Sequence, residues 1–363
     1  MSTDHRDPDE TCPGTPGVLT DGADGAGGDL ERRLGRGAGQ VWLAAQRSPL
    51  AQRRGRLGGE SLAHPARMLP DLATTIIDTY SRPGELVLDP MCGIGTTLVS
   101  AVRLGRRAVG IELEPRWVRL AEENLQLARD DGFPAPAHVL RGDARTTHTL
   151  LTEHHSDNDH TAHTDPAHDG GEAGDERSVS LIVTSPPYGA GVHGQVTNRT
   201  PGGRIVKYDH RYATTSAGKP GNLADSPGEL AASMTAILRS AAGVLRPGGH
   251  VAIVTRPWRH GGTLIDLSGE MIDCAHAAGL EPVDRAVSLL ARLHDPLPPT
   301  ATDTATGAEG ADPAGDGGAA RLVVRSSFFA RHNLLRARAA GQPVHLIAHE
   351  DVSVFTLPTT APR

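Results

Sequence analysis

Asp89-Pro90-Met91-Cys92-Gly93-Ile94-Gly95-Thr96-Thr97 puts an acid, two spaced glycines and two hydroxyls into nine residues. Glycines let a backbone approach a ligand closely, and the free N–H groups that open a helix favour an anion. A dinucleotide turn of the G-x-G-x-x-G kind needs a third glycine at position 98, where Leu98 stands, and an acid such as Asp89 would repel a pyrophosphate. An adenosyl ligand that carries both a carboxylate and a sulfonium cation suits an acid-plus-glycine turn better. Two further carboxylates follow short apolar runs: Glu112, placed to accept from ribose hydroxyls, and Asp143, placed to accept from an adenine amino group. A lone G-x-G is more often just a tight turn; acids at three successive strand ends favour a nucleoside site.

The second constellation is Thr184-Ser185-Pro186-Pro187-Tyr188. Consecutive prolines fix the backbone and remove two N–H donors, so the carbonyls there cannot be absorbed into a sheet ladder. The turn therefore presents two acceptors, the Ser185 hydroxyl oxygen and a proline carbonyl, beside the ring of Tyr188. Two acceptors and a stacking ring suit an exocyclic amino group on a planar base that has left its stack. The bland alternative is a Pro-Pro turn that merely ends a strand.

These residues need strand tips and helix starts to hold them, and the sequence supplies both. Glu85–Asp89 is a buried-strand run, Thr96–Leu104 a helix stopped by Gly105, and Ala108–Glu112 a second strand. Pro115 opens a helix with apolar residues Val118, Ala121, Leu125 and Ala128, closed by Gly132, and His138–Leu140 is a third strand. Ser180–Val183 is a strand leading into the proline turn. Ser226-Pro-Gly-Glu229 is a capping box whose helix buries Leu230, Met234, Ile237, Ala241 and Val244 and ends at Arg246-Pro-Gly-Gly249. A strand at His250–Val254, a helix from about Leu264 to Ala278 and strand-like segments near 282–293 and 344–355 complete the alternation. Strands alternating with helices predict an α/β doubly wound fold with a mostly parallel sheet.

The net charge is −7 over 363 residues. Residues 153–177 carry eight acids against one arginine, which accounts for the whole excess, so global charge does not exclude an anionic partner. Segments 1–38, 153–177 and about 297–320 lack apolar periodicity and are expected to be disordered, the latter two as insertions in a single domain spanning 39–358. No apolar stretch reaches the ~18 residues of a membrane span. The N-terminal residues lack a basic-then-apolar leader, and Cys12, Cys92 and Cys274 form no disulfide or zinc pattern, so a reducing cytoplasm is expected. Five histidines in 154–168 have no metal-ligand spacing, and no metal is assigned to them. Arg47, Arg53, Arg54 and Arg56 form one basic cluster. Arg199, Arg204, Lys207, His210 and Arg211 form another, interleaved with Tyr208 and Tyr212, which suits phosphate contact and base stacking. Thr184, Arg204, Lys207, Tyr208 and Arg211 are the expected substrate contacts.

DPMCGIGTT together with TSPPYG resembles the S-adenosylmethionine-dependent amino-methyltransferases of nucleic acids, the DNA cytosine-N4 and adenine-N6 enzymes. The resemblance covers about residues 40–357, apart from the two insertions. It implies S-adenosyl-L-methionine as cofactor and a Rossmann-like, seven-stranded sheet closed by a C-terminal antiparallel hairpin. It implies Ser185, Pro186, Pro187 and Tyr188 as the catalytic turn, and DNA as partner, with a restriction partner left open. His64-Pro65-Ala66-Arg67 through Pro70 resembles the family's segment flanking the methionine moiety, which adds His64 to the cofactor residues. Serine at the first position of the tetrapeptide goes mostly with cytosine N4 in this family. The order of cofactor half before SPPY half also resembles the tRNA guanine-N2 methyltransferases, which makes RNA the alternative substrate. A catalytically silent nucleic-acid-binding protein of the same fold would be expected to have lost Asp89, Glu112 or the SPPY turn, and all three are kept.

Overall fold

The computed structural model describes residues 40–64, 67–159, 178–186, 195–197, 206–208, 227–260, 263–294, 321–326 and 328–358. The expected disordered segment 1–38 lies outside them, as does the second insertion, about 297–320. The first insertion does not begin where the sequence suggested, because its first residues continue a helix to Asp159.

Among the described residues the main sheet has eight strands. In chain order they are β1 (Val41–Trp42), β2 (Leu86–Asp89), β3 (Arg107–Glu112), β4 (Ala137–Arg141), β5 (Val179–Thr184), β6 (Leu245–Thr255), β7 (Glu281–Leu289) and β8 (His349–Thr356). Across the sheet they run β1-β7-β8-β6-β5-β2-β3-β4. All neighbours are parallel except β8, which is antiparallel to both β6 and β7. This is the doubly wound α/β sheet that the alternation predicts. Its central strands β2 and β5 are buried along their whole length, as strands covered on both faces must be.

Helices α1 (Pro49–Arg53), α2 (Pro70–Tyr80), α3 (Thr96–Arg103) and α4 (Pro115–Asp130) precede α5 (Thr147–Asp159), α6 (Pro227–Ala242), α7 (Leu267–Ala277) and α8 (Phe328–Ala339). Leu72, Ile76 and Ile77 of α2, Leu98 and Val102 of α3 and Leu125 of α4 cover one face of the sheet. Leu151 of α5, Met234 and Ile237 of α6 and Met271 of α7 cover the other.

Four local expectations are corrected. The sheet gains an eighth strand, β1, whose two residues pair with Val287 and Ser288. Strand β6 starts at Leu245 rather than His250, because Val179 pairs with Leu245 ahead of a register shift that ends where Leu181 pairs with His250. Helix α7 starts at Leu267, where the Asp266 side chain accepts from the Gly269 N–H, because Thr263–Ile265 is taken up in a ribbon with Trp258–His260. The closing pair β7–β8 is antiparallel and separated by an insertion and the basic helix α8, as expected, but the end of the first strand-like segment, Ala291–His294, leaves the sheet to form a ribbon with Arg321–Val324.

Candidate cofactor crevice and catalytic turn

Strand order reverses between β2 and β5: the chain winds outward from β2 to β3 and β4 in one direction and from β5 to β6 in the other. Such a reversal opens a crevice beyond the carboxyl ends of the two strands. Asp89 ends β2 and Thr184 ends β5, and the register Leu88↔Ile182 brings Asp89 level with Val183 and Met91 of the glycine turn level with Ser185. Adjacent strands lie about 4.8 Å apart, so the two constellations read from the sequence flank one crevice.

The glycine turn is closed by its own backbone. The Cys92 N–H donates to the Ile111 carbonyl (2.9 Å) and the Gly95 N–H to the Cys92 carbonyl (2.8 Å). Gly93 (φ +53°) and Gly95 (φ +78°) occupy the left-handed region that side chains disfavour. A Cβ at Gly93 would lie 3.0 Å from His64 Nε2, and one at Gly95 3.2 Å from Ala121 Cβ. Gly95 caps α3, and no side chain caps that helix's first turn, which begins with the buried Thr96 and Thr97. The helix thus opens toward the crevice with backbone donors available to an anion.

Asp89 is buried, with Oδ1 accepting from the Met91 N–H at 3.1 Å. Burial pushes its carboxyl up to about 6, against the lowering effect of hydrogen bonds from Thr97 and Met91. Glu112, at the tip of β3, accepts from the Gly93 N–H (3.1 Å) and the Glu114 N–H (2.7 Å). Burial lifts it to about 7. The Cys92 thiol is buried, and burial together with Asp89 and Glu112 holds it well above the ordinary thiol range. That makes it a packing group rather than a nucleophile. Pro90 is buried between the two.

Asp143, just beyond β4, behaves differently. Burial works to raise its carboxyl, but Arg145 outweighs it and holds the group below the usual carboxylate range. Both carboxylate oxygens accept from the Arg145 guanidinium, and Oδ1 also accepts from the Arg145 N–H at 2.9 Å. The acceptor expected to face an adenine amino group is therefore already engaged.

A strap made of residues 40–69 crosses the carboxyl edge on the α2–α4 side. His64 is buried edge-on against the Trp117 ring, with centroids 4.6 Å apart. The strap is fastened by Asn124 of α4, which accepts from the Gly58 N–H (2.8 Å) and donates to the Ser61 hydroxyl (2.9 Å) and the Ile94 carbonyl (2.8 Å). Arg53, of the first basic cluster, is buried and donates to the carbonyls of Pro49, Arg67 and Met68. Burial, with Arg67 adding to it, lowers its guanidinium to about 10. Arg47 and Arg56 are held to Asp71.

Sequence reasoning missed Asn124 and Trp117. The buried face of α4 is Trp117, Leu120, Ala121, Asn124, Leu125 and Ala128, while Val118 is only half-buried. A polar residue three positions after Ala121 and four before Ala128 was the available signal. Of the catalytic turn, Ser185 is partly exposed and Pro186 buried. Thr184 is fully buried, its hydroxyl without a hydrogen-bond partner among the described residues, so it sits inside the strand tip rather than on the crevice wall. Lys207 and Tyr208 belong to a short strand paired with Gln195–Thr197. Pro187, Tyr188, Arg204 and Arg211 lie outside the described residues.

Fold and crevice together define the Rossmann-like doubly wound class. Within it, residues 24–123, which carry the strap, the glycine turn and β3, match the family of DNA methylases. The resemblance read from the motifs is thereby borne out, and the cofactor of that methylase family is S-adenosyl-L-methionine. A tRNA (guanine(10)-N2)-dimethyltransferase of Methanothermobacter thermautotrophicus is 32% identical over 127 residues, 35% of this chain and 29% of that protein. The type II methyltransferase M2.DpnII of Streptococcus pneumoniae is 40% identical over 63 residues, 17% of this chain and 24% of that one. The chain thus spans under a third of the length of these curated relatives. Among solved structures, a SAM-dependent O-methyltransferase from Thermotoga maritima aligns with a TM-score of 0.39 and 12% identity over 82% of this chain and 69% of that one. No helix among the described residues is long and apolar enough to cross a membrane.

Proposed function

We propose that this chain is an S-adenosyl-L-methionine-dependent N-methyltransferase acting on an exocyclic amino group of a nucleic-acid base, with cytosine N4 in DNA as the target. The observation that carries this reading is the juxtaposition across β2 and β5: an acid–glycine turn on one strand tip and a Ser-Pro turn on the next. The residues present suit the cofactor. The uncapped start of α3 would hold an anionic carboxylate, Asp89 would hold a cation, and Glu112 retains lone pairs that would accept from ribose hydroxyls. His64 and Gly93 close the methionine side of the crevice. Asp143 would share its carboxylate between Arg145 and the adenine ring.

Bound S-adenosyl-L-methionine supplies an electrophilic methyl group. The chain's own work is to orient the acceptor. The Ser185 hydroxyl oxygen and the Pro186 carbonyl would accept the two amino hydrogens, which turns the nitrogen lone pair toward the methyl for in-line attack, while Tyr188 stacks on the extruded base. The new N–C bond forms as the methyl–sulfur bond breaks, S-adenosylhomocysteine leaves, and the methylated nitrogen releases one proton to solvent past the partly exposed Ser185. Buried acids and an inert Cys92 leave this route without a covalent enzyme adduct. Ser185 supports cytosine; the length of the match to the tRNA guanine-N2 relative, twice that to the type II enzyme, supports a guanine in RNA as the second reading.

Mass spectrometry of nucleosides from DNA and RNA of cells expressing the wild-type chain or Ser185→Ala tests the proposal. N4-methylcytosine in DNA is expected with wild type, reduced in the variant by roughly 10- to 150-fold in rate for a lost hydrogen bond of about 1.5–3 kcal/mol. N2-methylguanine confined to RNA would move the substrate to the second reading. No new methylated base in either pool would overturn the proposal.

A further inference from the structure

Beyond the end of β7 and before the start of β8, the described residues 290–294, 321–326 and 328–348 lie outside the main sheet. Because β7 runs parallel to β1 and antiparallel to β8, which is itself antiparallel to β6, both points lie on the carboxyl edge, the edge that carries Ser185. The excursion is fixed there. The Leu290 N–H donates to the Ala348 carbonyl (2.8 Å), the Arg325 N–H to the Leu290 carbonyl (2.7 Å), and the Arg325 guanidinium to the carbonyls of Ala45 and Gln46 in the strap (2.6 Å each).

From Arg321 to His349 the sequence holds five arginines and no acid. Arg325 is spent on the anchor, but Arg321, Arg331, Arg336 and Arg338 are exposed. Arg331 and Arg338 reach only Ser326 and the Val344 carbonyl. No acid among the described residues lies within ion-pair distance of any of the four. Leu322, Val323 and Leu335 stand exposed among them, at 51%, 50% and 66%.

Resting on the methyltransferase reading above, we propose that this ribbon-and-helix excursion is the docking element for duplex DNA, gripping the phosphate backbone beside the extruded base. Arginines without an acidic partner among the described residues, on the active edge, complement a polyanion. A protruding helix about 18 Å long, or a two-stranded ribbon, fits the major groove of B-form DNA, whereas the A-form major groove is too narrow for side chains to enter. The excursion thus adds contact surface to that expected of Arg204, Lys207, Tyr208 and Arg211.

The test is the salt dependence of binding to a B-form DNA duplex and to an RNA hairpin, for wild type, Arg331→Gln/Arg336→Gln, and a control pair far from this surface, Arg82→Gln/Arg119→Gln. Each phosphate contact contributes about 0.9 to the slope of log K against log salt. The expected result is a duplex slope lower by about 1.8 in the Arg331/Arg336 variant and unchanged in the control, with unchanged circular dichroism. Arg336→Glu alone should lower duplex affinity further than Arg336→Gln. Equal slopes for wild type and the Arg331/Arg336 variant would overturn the docking surface and leave the methyltransferase reading standing. Loss of a self-associated form in that variant by sedimentation, without a slope change, would make the surface a self-interface and overturn the proposal. Wild type binding the hairpin but not the duplex would overturn it too, and binding to neither would overturn both readings.

Discussion

Asp89 and Glu112, at the tips of β2 and β3, and Asp143, just past β4, are three carboxylates on one edge of one sheet. Their surroundings push them in opposite directions. Asp89 and Glu112 face backbone N–H groups and a threonine hydroxyl, with no basic side chain among their hydrogen-bond partners, and burial lifts them to about 6 and about 7. Asp143 is gripped by a guanidinium two residues away and sits below the ordinary range. A buried acid left without a base is costly to the folded state. The contrast teaches that the first corner carries an uncompensated charge deficit that a cation and ribose hydroxyls would relieve, while the second already holds its counter-charge.

The largest effect that tests this contrast is on stability. Asp89 and Glu112 bind protons more tightly folded than unfolded, so their contribution is most favourable below pH 4 and is lost as pH rises through about 6 to 7. Asp89→Asn removes the buried charge. Its thermal midpoint should exceed that of wild type at pH 8, by an amount worth about 3 kcal/mol at most, with the difference vanishing near pH 4. A wild type that is the more stable of the two at pH 8 would show that the carboxylate has a cationic partner in the folded protein.

A smaller effect should follow from Asn124→Ala, which leaves the Ile94 carbonyl and the Gly58 N–H without their partner. Thermal melting should register a loss of about 1–3 kcal/mol, and proteolysis within 54–64 should quicken as the strap loosens. An unchanged melt and cleavage rate would mean that His64 and the glycine turn are held together by other contacts.

The strands and helices from Glu85 to Asp143 were legible to within one or two residues, because apolar runs, Pro115 and Gly132 mark them locally. The placing of Asp89, Glu112 and Ser185 at strand tips was legible for the same reason. What escaped reading depends on partners distant in sequence. Two-residue β1 exists only because Val287 and Ser288 lie beside it. The ribbon of Ala291–His294 with Arg321–Val324 joins segments separated by an insertion, and Arg145's hold on Asp143 depends on a side-chain direction that spacing does not encode. Asn124 was hidden by placing the apolar face of α4 on Val118 instead of Trp117.

The contrast between the two corners is tested most directly by calorimetric titration of S-adenosyl-L-methionine into wild type, Asp89→Ala and Asp143→Ala at pH 8, with circular dichroism confirming that each is folded. Asp89→Ala should lose detectable binding. Asp143→Ala should weaken it by no more than roughly 10- to 150-fold, the worth of a single hydrogen bond to a charged group, because Arg145 already occupies that carboxylate. Equal affinity in wild type and Asp89→Ala, or a greater loss in Asp143→Ala, would contradict the assignment of the β2–β3 corner as the cofactor site.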